Sequence, residues 1–205
     1  LKAVRSLEIG LCHLHHKKFD GKPQNELLEY IKIGTDDRIY AIAELLRQGV
    51  DTETIVNLTA IDKFFIDKLK SIIEQENELK QNVGDIAVLK QAKKMGFSDK
   101  VIAHYWGTAE TEIFNLRKQH NIMPIYKMID TCASEFESYI PYFYSTYEEE
   151  NESVVSDKKK VIVLGSGPIR IGQGVEFDYS TVHAVQTIKN AGYEAIIINN
   201  NPETV

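Results

Sequence analysis

The feature that most constrains the fold is a helical spacing of apolar residues that runs, with short interruptions, from residue 25 to about residue 120. Apolar side chains recur at i, i+3 and i+4, most clearly in DRIYAIAELLRQG and in AIDKFFIDKLKSIIEQENELK. This spacing is typical of helices that bury one face against their neighbours. Helix-stopping glycines such as Gly34, Gly49 and Gly107 separate the segments. The sequence therefore predicts a mainly α fold over most of its length.

Polar residues that can cap a helix N terminus precede several of these segments. Either Thr35 or Asp36 is expected to cap the helix that begins in DRIY, and Asp51 is expected to open a short helix. Ser98 and Thr108 are expected to begin the last two helices. The segment AIDKFFIDKLKSIIEQENELK is expected to form one long helix. Its predicted apolar face comprises Ile61, Phe64, Phe65, Lys68, Leu69, Ile72 and Ile73.

The character of the chain changes after residue 122. The stretch MPIYKMIDTCASEFESYIPYFYSTYEEENE is rich in aromatic residues and favours β structure. From Glu148 to Lys160 the chain is first acidic, then contains serine, and then becomes basic. Such a composition is typical of a linker between two domains.

A third pattern begins at Lys160. VIVLG predicts a buried strand, a glycine-rich loop follows, a helix is expected from Asp178 to Asn190, and YEAIII predicts a second strand. This order is typical of one βαβ unit of a parallel sheet. Because two strands do not make a viable sheet by themselves, we expect a domain that starts near residue 160 and is truncated.

The glycine-rich loop is the candidate cofactor-binding element. Its candidate residues are Gly165, Gly167, Arg170, Gly172 and Gly174. The dinucleotide fingerprint requires glycine where Arg170 stands, and the Walker pattern requires Lys followed by Ser or Thr where the chain has Gln-Gly. Tight packing of the turn is therefore favoured over phosphate binding, although Arg170 leaves an anion contact open.

The composition limits the classes of function. With 205 residues, 43% hydrophobic and 26% charged, the chain suits one large or two small globular domains. A net charge of −6 argues against a general nucleic-acid binder. Cys12 and Cys132 do not make a disulfide framework, which favours a reducing, cytoplasmic setting. No apolar run approaches the ~20 residues that a membrane-spanning helix needs.

The stretch CHLHH is a candidate metal site, because Cys12, His13, His15 and His16 are all zinc or copper ligand types. Structural zinc sites usually combine two pairs of ligands, and no second pair is visible at a suitable spacing. We therefore expect a solvated connector and no metal site here. Residue spacing also reveals no catalytic triad, metalloprotease motif or paired carboxylates.

Residues 98–120 have the outline of a helix-turn-helix, with Gly107 at the turn. The second helix carries Arg117, Lys118 and His120. A recognition helix reads bases from its N-terminal residues, and here that end carries two glutamates that would repel DNA. A DNA-binding regulator therefore stays an alternative hypothesis, less favoured than a helical packing unit.

Several of these stretches resemble the large subunit of glutamine-dependent carbamoyl phosphate synthetase. The strings that carry the resemblance are IDTCASEFES, YFYSTYEEEN, VIVLGSGPIRIGQGVEFDYSTVHAV and NNNPETV. DRIYAIAELLRQG, AIDKFFIDKL and AKKMGFSDKVIA also look like the central helical region of that family. In this family, a helical oligomerisation domain joins two ATP-grasp synthetase halves.

The resemblance implies a division into three regions. Residues 1–18 resemble the tail of the first ATP-grasp half, residues 19–155 the helical oligomerisation domain, and residues 156–205 the truncated, Rossmann-like start of the second half's pre-ATP-grasp domain. The implied parent enzyme makes carbamoyl phosphate from bicarbonate, glutamine-derived ammonia and two ATP, for arginine and pyrimidine biosynthesis. It uses Mg²⁺ or Mn²⁺, and K⁺, and a small glutaminase subunit supplies the ammonia.

The resemblance carries no catalytic residue over to this chain, because the family's ATP and metal-ion sites lie in segments outside it. We expect the chain by itself to be inactive, to bind no cofactor, nucleic acid or membrane, and to self-associate. The family's pre-ATP-grasp loop matches Gly165, Gly167, Gly172, Gln173, Gly174, Glu176, Phe177 and Asp178. The resemblance implies a structural role for this loop, next to the ammonia tunnel.

Overall fold

The structure is a computed structural model, and it describes residues 1–7, 9–130, 135–136, 142–165 and 174–198. The chain divides into two units, Leu1–Ser153 and Val154–Val205. Helices dominate the first unit, and the second contains a small α/β element. The predicted fold class, mainly α followed by a small α/β part, is confirmed.

Short turns connect the helices of the first unit. These helices are α1 (Lys2–Ser6), α2 (Gln24–Tyr30), α3 (Arg38–Arg47), α4 (Thr52–Thr59), α5 (Lys63–Gln81), α6 (Ile86–Lys94), α7 (Asp99–Trp106) and α8 (Glu110–Gln119). A 3₁₀ helix, Lys17–Phe19, lies between α1 and α2. Gly49 and Gly107 have φ values of +83° and +64°, a conformation that ends a helix and that glycine adopts without steric cost.

Side-chain caps fix the beginnings of several helices. The carboxylate of Asp51 accepts a hydrogen bond from the Thr54 amide at 2.9 Å, at the start of α4. The hydroxyl of Ser98 accepts one from the Val101 amide at 3.3 Å, at the start of α7. Both predicted caps are therefore confirmed, and Asp62 caps α5 in the same way.

The predicted cap of α3 is wrong by one or two residues. Asp37, rather than Thr35 or Asp36, precedes the first turn, and its side chain makes no capping hydrogen bond. Its carboxylate instead accepts hydrogen bonds from the Tyr30 hydroxyl at 2.6 Å, the Thr35 hydroxyl at 2.9 Å and the Lys18 ammonium at 2.5 Å. Contacts between segments thus engage this carboxylate in place of the helix end.

The predicted cap of α8 is also wrong. Ala109 occupies the capping position, one residue after Thr108. The Thr108 hydroxyl donates a hydrogen bond to the side chain of Glu112. The helix therefore starts without a side-chain cap, and its first turn carries acidic residues that favour a helix N terminus.

Two clusters of buried apolar side chains form the core of the first unit. The first cluster comprises Leu14, Phe19, Leu27, Ile31, Tyr40, Ala41, Ile42, Ala43, Leu45, Leu46, Ile55, Ile66 and Ile73. The second comprises Leu79, Leu89, Ala92, Phe97, Val101, Ile102, Ala103, Trp106, Ile113 and Ile122. Because α5 contributes to both clusters, this long helix joins the two halves of the core.

The buried face of α5 differs from the predicted one. Phe64 and Phe65 are 59% and 60% exposed, whereas Ile66 is fully buried. From Ile66 the buried face continues to Ile73 and Glu76. The prediction was therefore wrong at the first turn, where two exposed aromatic residues were assigned to the core, and it also left out the buried Glu76 farther along the helix.

A β-hairpin follows the helices of the first unit. Its strands are β1 (Ile125–Met128) and β2 (Phe143–Thr146), and they pair antiparallel with Ile125 opposite Thr146 and Met128 opposite Phe143. The Glu152 amide then donates to the Tyr126 carbonyl at 2.9 Å, which extends the ordered contacts beyond β2. The predicted β character of this stretch is confirmed for the residues that the structure describes.

The second unit contains the predicted βαβ arrangement. Strand β3 (Lys160–Leu164) pairs in parallel with β4 (Glu194–Ile198), and α9 (Gly174–Asn190) connects them. The helix begins at Gly174, four residues earlier than the predicted start at Asp178.

Strand β3 is not buried on both faces, contrary to the prediction. Ile162 and Leu164 are 56% and 77% exposed, while Val161 and Val163 are partly buried. Helix α9 contacts β3 and β4. Within this unit, alternate apolar side chains of β3 therefore face solvent.

Candidate functional site

The structure describes the two ends of the candidate glycine loop, Gly165 and Gly174. Gly165 follows β3, and its amide donates to the Ile198 carbonyl at 2.7 Å, which continues the parallel pairing. Gly174 is the first residue of α9. Gly167, Arg170 and Gly172 lie outside the described residues. The binding role of this loop stays a prediction.

The histidines of CHLHH have separate partners. Nε2 of His13 lies 3.0 Å from the Glu76 carboxylate and Nε2 of His15 lies 2.8 Å from Asp20, while Nδ1 of His16 accepts from the Lys18 amide. Among the described residues, no three His, Cys, Asp or Glu side chains are grouped so that they could hold a metal ion. The expected solvated connector is wrong for His13, which is buried.

The helix-turn-helix outline corresponds to α7 and α8, but Arg117, one of its basic residues, is buried. Arg117 is 5% exposed and pairs with Asp99 on α7. A guanidinium held in this way inside the unit is not available to a DNA phosphate. The contacts therefore favour a packing role for α7 and α8, and none of them supports DNA binding.

Glu76, on α5, is the centre of the first buried charge network, and it is 1% exposed. Its carboxylate accepts hydrogen bonds from Nη2 of Arg47 at 2.9 Å, from Nζ of Lys80 at 2.5 Å and from His13. The same Arg47 group donates to the Leu14 carbonyl at 2.6 Å. One carboxylate therefore joins α3, α5 and the irregular segment that follows α1.

The charge state of this network follows from its contacts. Burial by itself raises the pKa of Glu76, yet the hydrogen bonds from the three basic side chains outweigh burial and hold that pKa well below its usual range. Burial lowers the pKa of His13 more than the neighbouring carboxylate raises it. We infer an ionised Glu76 that accepts from Nε2–H of a neutral His13. Nδ1 of His13 is buried without a hydrogen-bond partner among the described residues.

This network predicts that the protein loses stability in acid. Unfolding returns the pKa of His13 upward to about 6.5 and that of Glu76 upward to about 4.5. The unfolded chain therefore binds more protons below these values, so the free energy of unfolding decreases as the pH is lowered. The loss begins through His13 below about pH 6.5 and continues through Glu76 below about pH 4.5. Urea unfolding at a series of pH values measures it.

Two histidine variants separate this effect from a general acid effect. His13→Gln is expected to flatten the stability profile just below pH 6.5. His15→Gln serves as the control, since the His15 side chain is 50% exposed and its ion-pair partner among the described residues is the exposed Asp20. A His13→Gln profile that keeps the wild-type slope would contradict the role given to His13.

Asp99, the first residue of α7, is the centre of the second network. It accepts from Nζ of Lys93 at 2.7 Å and from Nε and Nη2 of Arg117 at 2.9 and 2.6 Å. Lys93 also donates to the Phe97 carbonyl at 2.7 Å, and Arg117 donates to the Ile122 carbonyl at 2.9 Å. Burial opposes ionisation of Asp99, but the bonds from Arg117 and Lys93 outweigh it and lower the pKa of this carboxyl.

An aromatic pair is exposed at the start of α5. The rings of Phe64 and Phe65 meet edge to face, with centroids 5.4 Å apart. Nζ of Lys68 lies 5.2 Å from the centroid of Phe64. Neighbouring large aromatic side chains at the surface are a common feature of protein contact sites.

A shallow cleft lies beside α8 and has an apolar lining that includes Trp106, Ile113 and Leu116. One carboxylate, that of Glu112, lines it and accepts a hydrogen bond from Thr108. General acid–base chemistry needs partners placed around a reacting group, and this lining offers a single carboxylate. The geometry of the cleft therefore defines no catalytic arrangement.

Sequence reasoning missed both buried networks. A glutamate within a charged helix is usually solvated, and only the helical spacing of Ile66, Ile73 and Glu76 points to its burial. Asp99 follows the predicted cap Ser98 and is typical of a first helical turn. No local signal reveals its two cationic partners, because Arg117 lies 18 positions away.

The fold defines a class of protein: a mainly helical unit that is followed along the chain by a parallel βαβ element. Residues 1–121 match the family model described as the carbamoyl-phosphate synthetase large chain, oligomerisation domain. Residues 157–205 match the model described as the carbamoyl phosphate synthase preATP-grasp domain. The chain belongs to the carbamoyl phosphate synthetase large-chain family.

Within the described part of the chain, no helix combines the length and apolar character needed to cross a bilayer.

Proposed function

We propose that this chain is part of the large subunit of an ATP-dependent ligase that makes carbamoyl phosphate. The observation that carries the proposal is the order of the two family matches, an oligomerisation domain followed by a pre-ATP-grasp domain. The proposed reaction consumes bicarbonate, ammonia derived from glutamine, and two ATP. Its product serves arginine and pyrimidine biosynthesis in the cytoplasm.

The proposed parent enzyme binds ATP with Mg²⁺ or Mn²⁺, and K⁺, and it receives ammonia from a small glutaminase subunit. In this scheme the loop that contains Gly165 and Gly174 has a structural role near the path of ammonia, together with Gly167, Arg170 and Gly172. The amide of Gly165 supports a structural role, because it extends the pairing of β3 with β4. The nucleotide itself would bind to segments outside this chain.

For the present stretch of the large subunit we propose self-association and scaffolding, without turnover of its own. The description of the family model that matches residues 1–121 supports this role. The exposed pair Phe64 and Phe65 is compatible with a contact surface. The proposed regions stay residues 1–18, 19–155 and 156–205.

Self-association predicts a molar mass that rises with concentration. Static light scattering across a dilution series is expected to give a mass well above the 23.3 kDa of one chain at the highest concentrations. The mass should fall toward 23.3 kDa on dilution, because association follows mass action. A mass of 23.3 kDa at every concentration would refute self-association of this chain.

The same samples test the proposal that ATP turnover takes place in other segments of the large subunit and not in this chain. Incubation with ATP, Mg²⁺ and bicarbonate is expected to release no phosphate above the blank without protein. ATP hydrolysis that bicarbonate stimulates, and that follows the chain through size-exclusion chromatography, would contradict the proposal that this stretch has no turnover of its own. This result would count against that proposal even if the chain self-associates.

A further inference from the structure

Arg117 contacts both ends of the β1–β2 hairpin as well as the helices. Its Nη1 donates to the carbonyl of Ile122, which lies just before β1, at 2.9 Å. Its Cζ lies 5.6 Å from the ring centroid of Tyr147, which directly follows β2. Its Nε and Nη2 bind Asp99 on α7. One guanidinium therefore joins the entrance and the exit of the hairpin to the helical core.

Lys93 contacts the same tyrosine ring. Its Nζ lies 5.1 Å from the ring centroid of Tyr147 and donates to Asp99 and to the Phe97 carbonyl. Lys93 and Arg117 are 6% and 5% exposed, so two cations share the carboxylate of Asp99 within the unit. The negative face of an aromatic ring attracts such cations most strongly where water is excluded.

The surroundings of Tyr147 favour this arrangement. The side chain is partly buried and packs against the second apolar cluster. Burial raises the pKa of the Tyr147 phenol above its usual value. Two residues before Tyr147, in β2, the backbone carbonyl of Ser145 accepts a hydrogen bond from the ammonium of Lys2. The exit of the hairpin is therefore held by an aromatic contact and by a backbone contact.

We propose that Lys93, Asp99 and Arg117 form a dock for the two ends of the β1–β2 hairpin, at Ile122 and Tyr147, with Tyr147 as the positioning residue that fixes where the chain leaves the helices. Strands β1 and β2 are thus an extension of the helical unit. This segment lies beyond the end of the oligomerisation-domain match at residue 121 and before the start of the second match at residue 157. Its position against the helices comes from the shared cations.

Hydrogen exchange on the full chain tests the dock. Tyr147→Leu keeps an apolar side chain but removes the ring, and it is expected to raise amide exchange in β1 and β2 about tenfold. Peptides from α6, α7 and α8 should keep their wild-type protection. Tyr147→Phe keeps the ring face and should retain wild-type protection of the hairpin. This difference between the variants reports the aromatic contact rather than general packing.

Tyr144→Leu is the matched control, because Tyr144 lies on the same hairpin, is exposed, and has no cation contact among those found for the described residues. It is expected to leave hairpin exchange within about twofold of wild type. Unchanged hairpin exchange in Tyr147→Leu would overturn the proposal. So would an equal increase in Tyr147→Phe, or an increase spread evenly over α6, α7 and α8, since either would show that Tyr147 does not act through its ring.

Discussion

Replacement of Glu76 by alanine is expected to lower the free energy of unfolding by about 3–5 kcal/mol, because it removes the buried carboxylate at the centre of the network and leaves the partly buried Arg47 with the more exposed Glu44 as its carboxylate partner among the described residues. The substitution also removes the acceptor of His13 and Lys80. Three segments that meet at this carboxylate lose a common partner at once. Urea unfolding of the purified variant at neutral pH gives the change.

Glu74→Ala provides the matched control, since Glu74 lies on the same helix with a side chain that is 63% exposed. Its effect should stay within about 0.5 kcal/mol. Glu76→Gln keeps the shape of the side chain but removes its charge. Its free energy of unfolding should lie between those of Glu76→Ala and the wild type. A loss below about 1 kcal/mol for Glu76→Ala would show that the network contributes little to stability.

Replacement of Asp99 by alanine is the second variant with a large expected effect, again about 3–5 kcal/mol of destabilisation. Lys93 and Arg117 would then stay buried without the carboxylate that binds both. Because the same cations contact Tyr147, the variant is also expected to weaken the hold on the hairpin. Urea unfolding measures the stability, and hydrogen exchange in β1 and β2 measures the hairpin.

Glu110→Ala controls for the position of Asp99 in its helix. Glu110 is the first residue of α8, as Asp99 is of α7, but it is exposed. Both residues favour the positive end of their helix, an effect of about 0.3–1 kcal/mol. The excess loss in Asp99→Ala therefore measures the buried ion pairs, and equal losses in the two variants would contradict their importance.

Local signals were sufficient for most of the secondary structure. The side chains of Asp51 and Ser98 accept hydrogen bonds from amides three residues further along the chain. Their capping roles can therefore be predicted from neighbouring residues alone. The caps predicted at Thr35 or Asp36 and at Thr108 were wrong. The side chains of Asp37, which precedes α3, and of Thr108 make other hydrogen bonds, and two of the donors to Asp37 lie 7 and 19 positions away. A capping residue is predictable only where no competing partner is available.

Burial was less predictable than helicity. The spacing in α5 predicted an amphipathic helix but placed Phe64 and Phe65 in the core, where Glu76 lies instead. Hydropathy ranks phenylalanine above glutamate as a core residue, and this order reverses only when three basic groups surround the carboxylate. Similarly, the apolar character of β3 predicted full burial, whereas alternate side chains are exposed within its unit.

The sequence by itself determined the helical character of residues 25–120, the β character after residue 122, the parallel βαβ order after residue 160 and the family, because each depends on neighbouring residues or on long specific strings. Only the tertiary structure decided that Glu76, which is buried, and Asp99, which is partly buried, are the centres of charge networks, and that Arg117 contacts the hairpin rather than solvent. The physical reason is that a buried charge is tolerated only when distant cations and carbonyls meet around it. Such meetings are set by packing and not by sequence spacing.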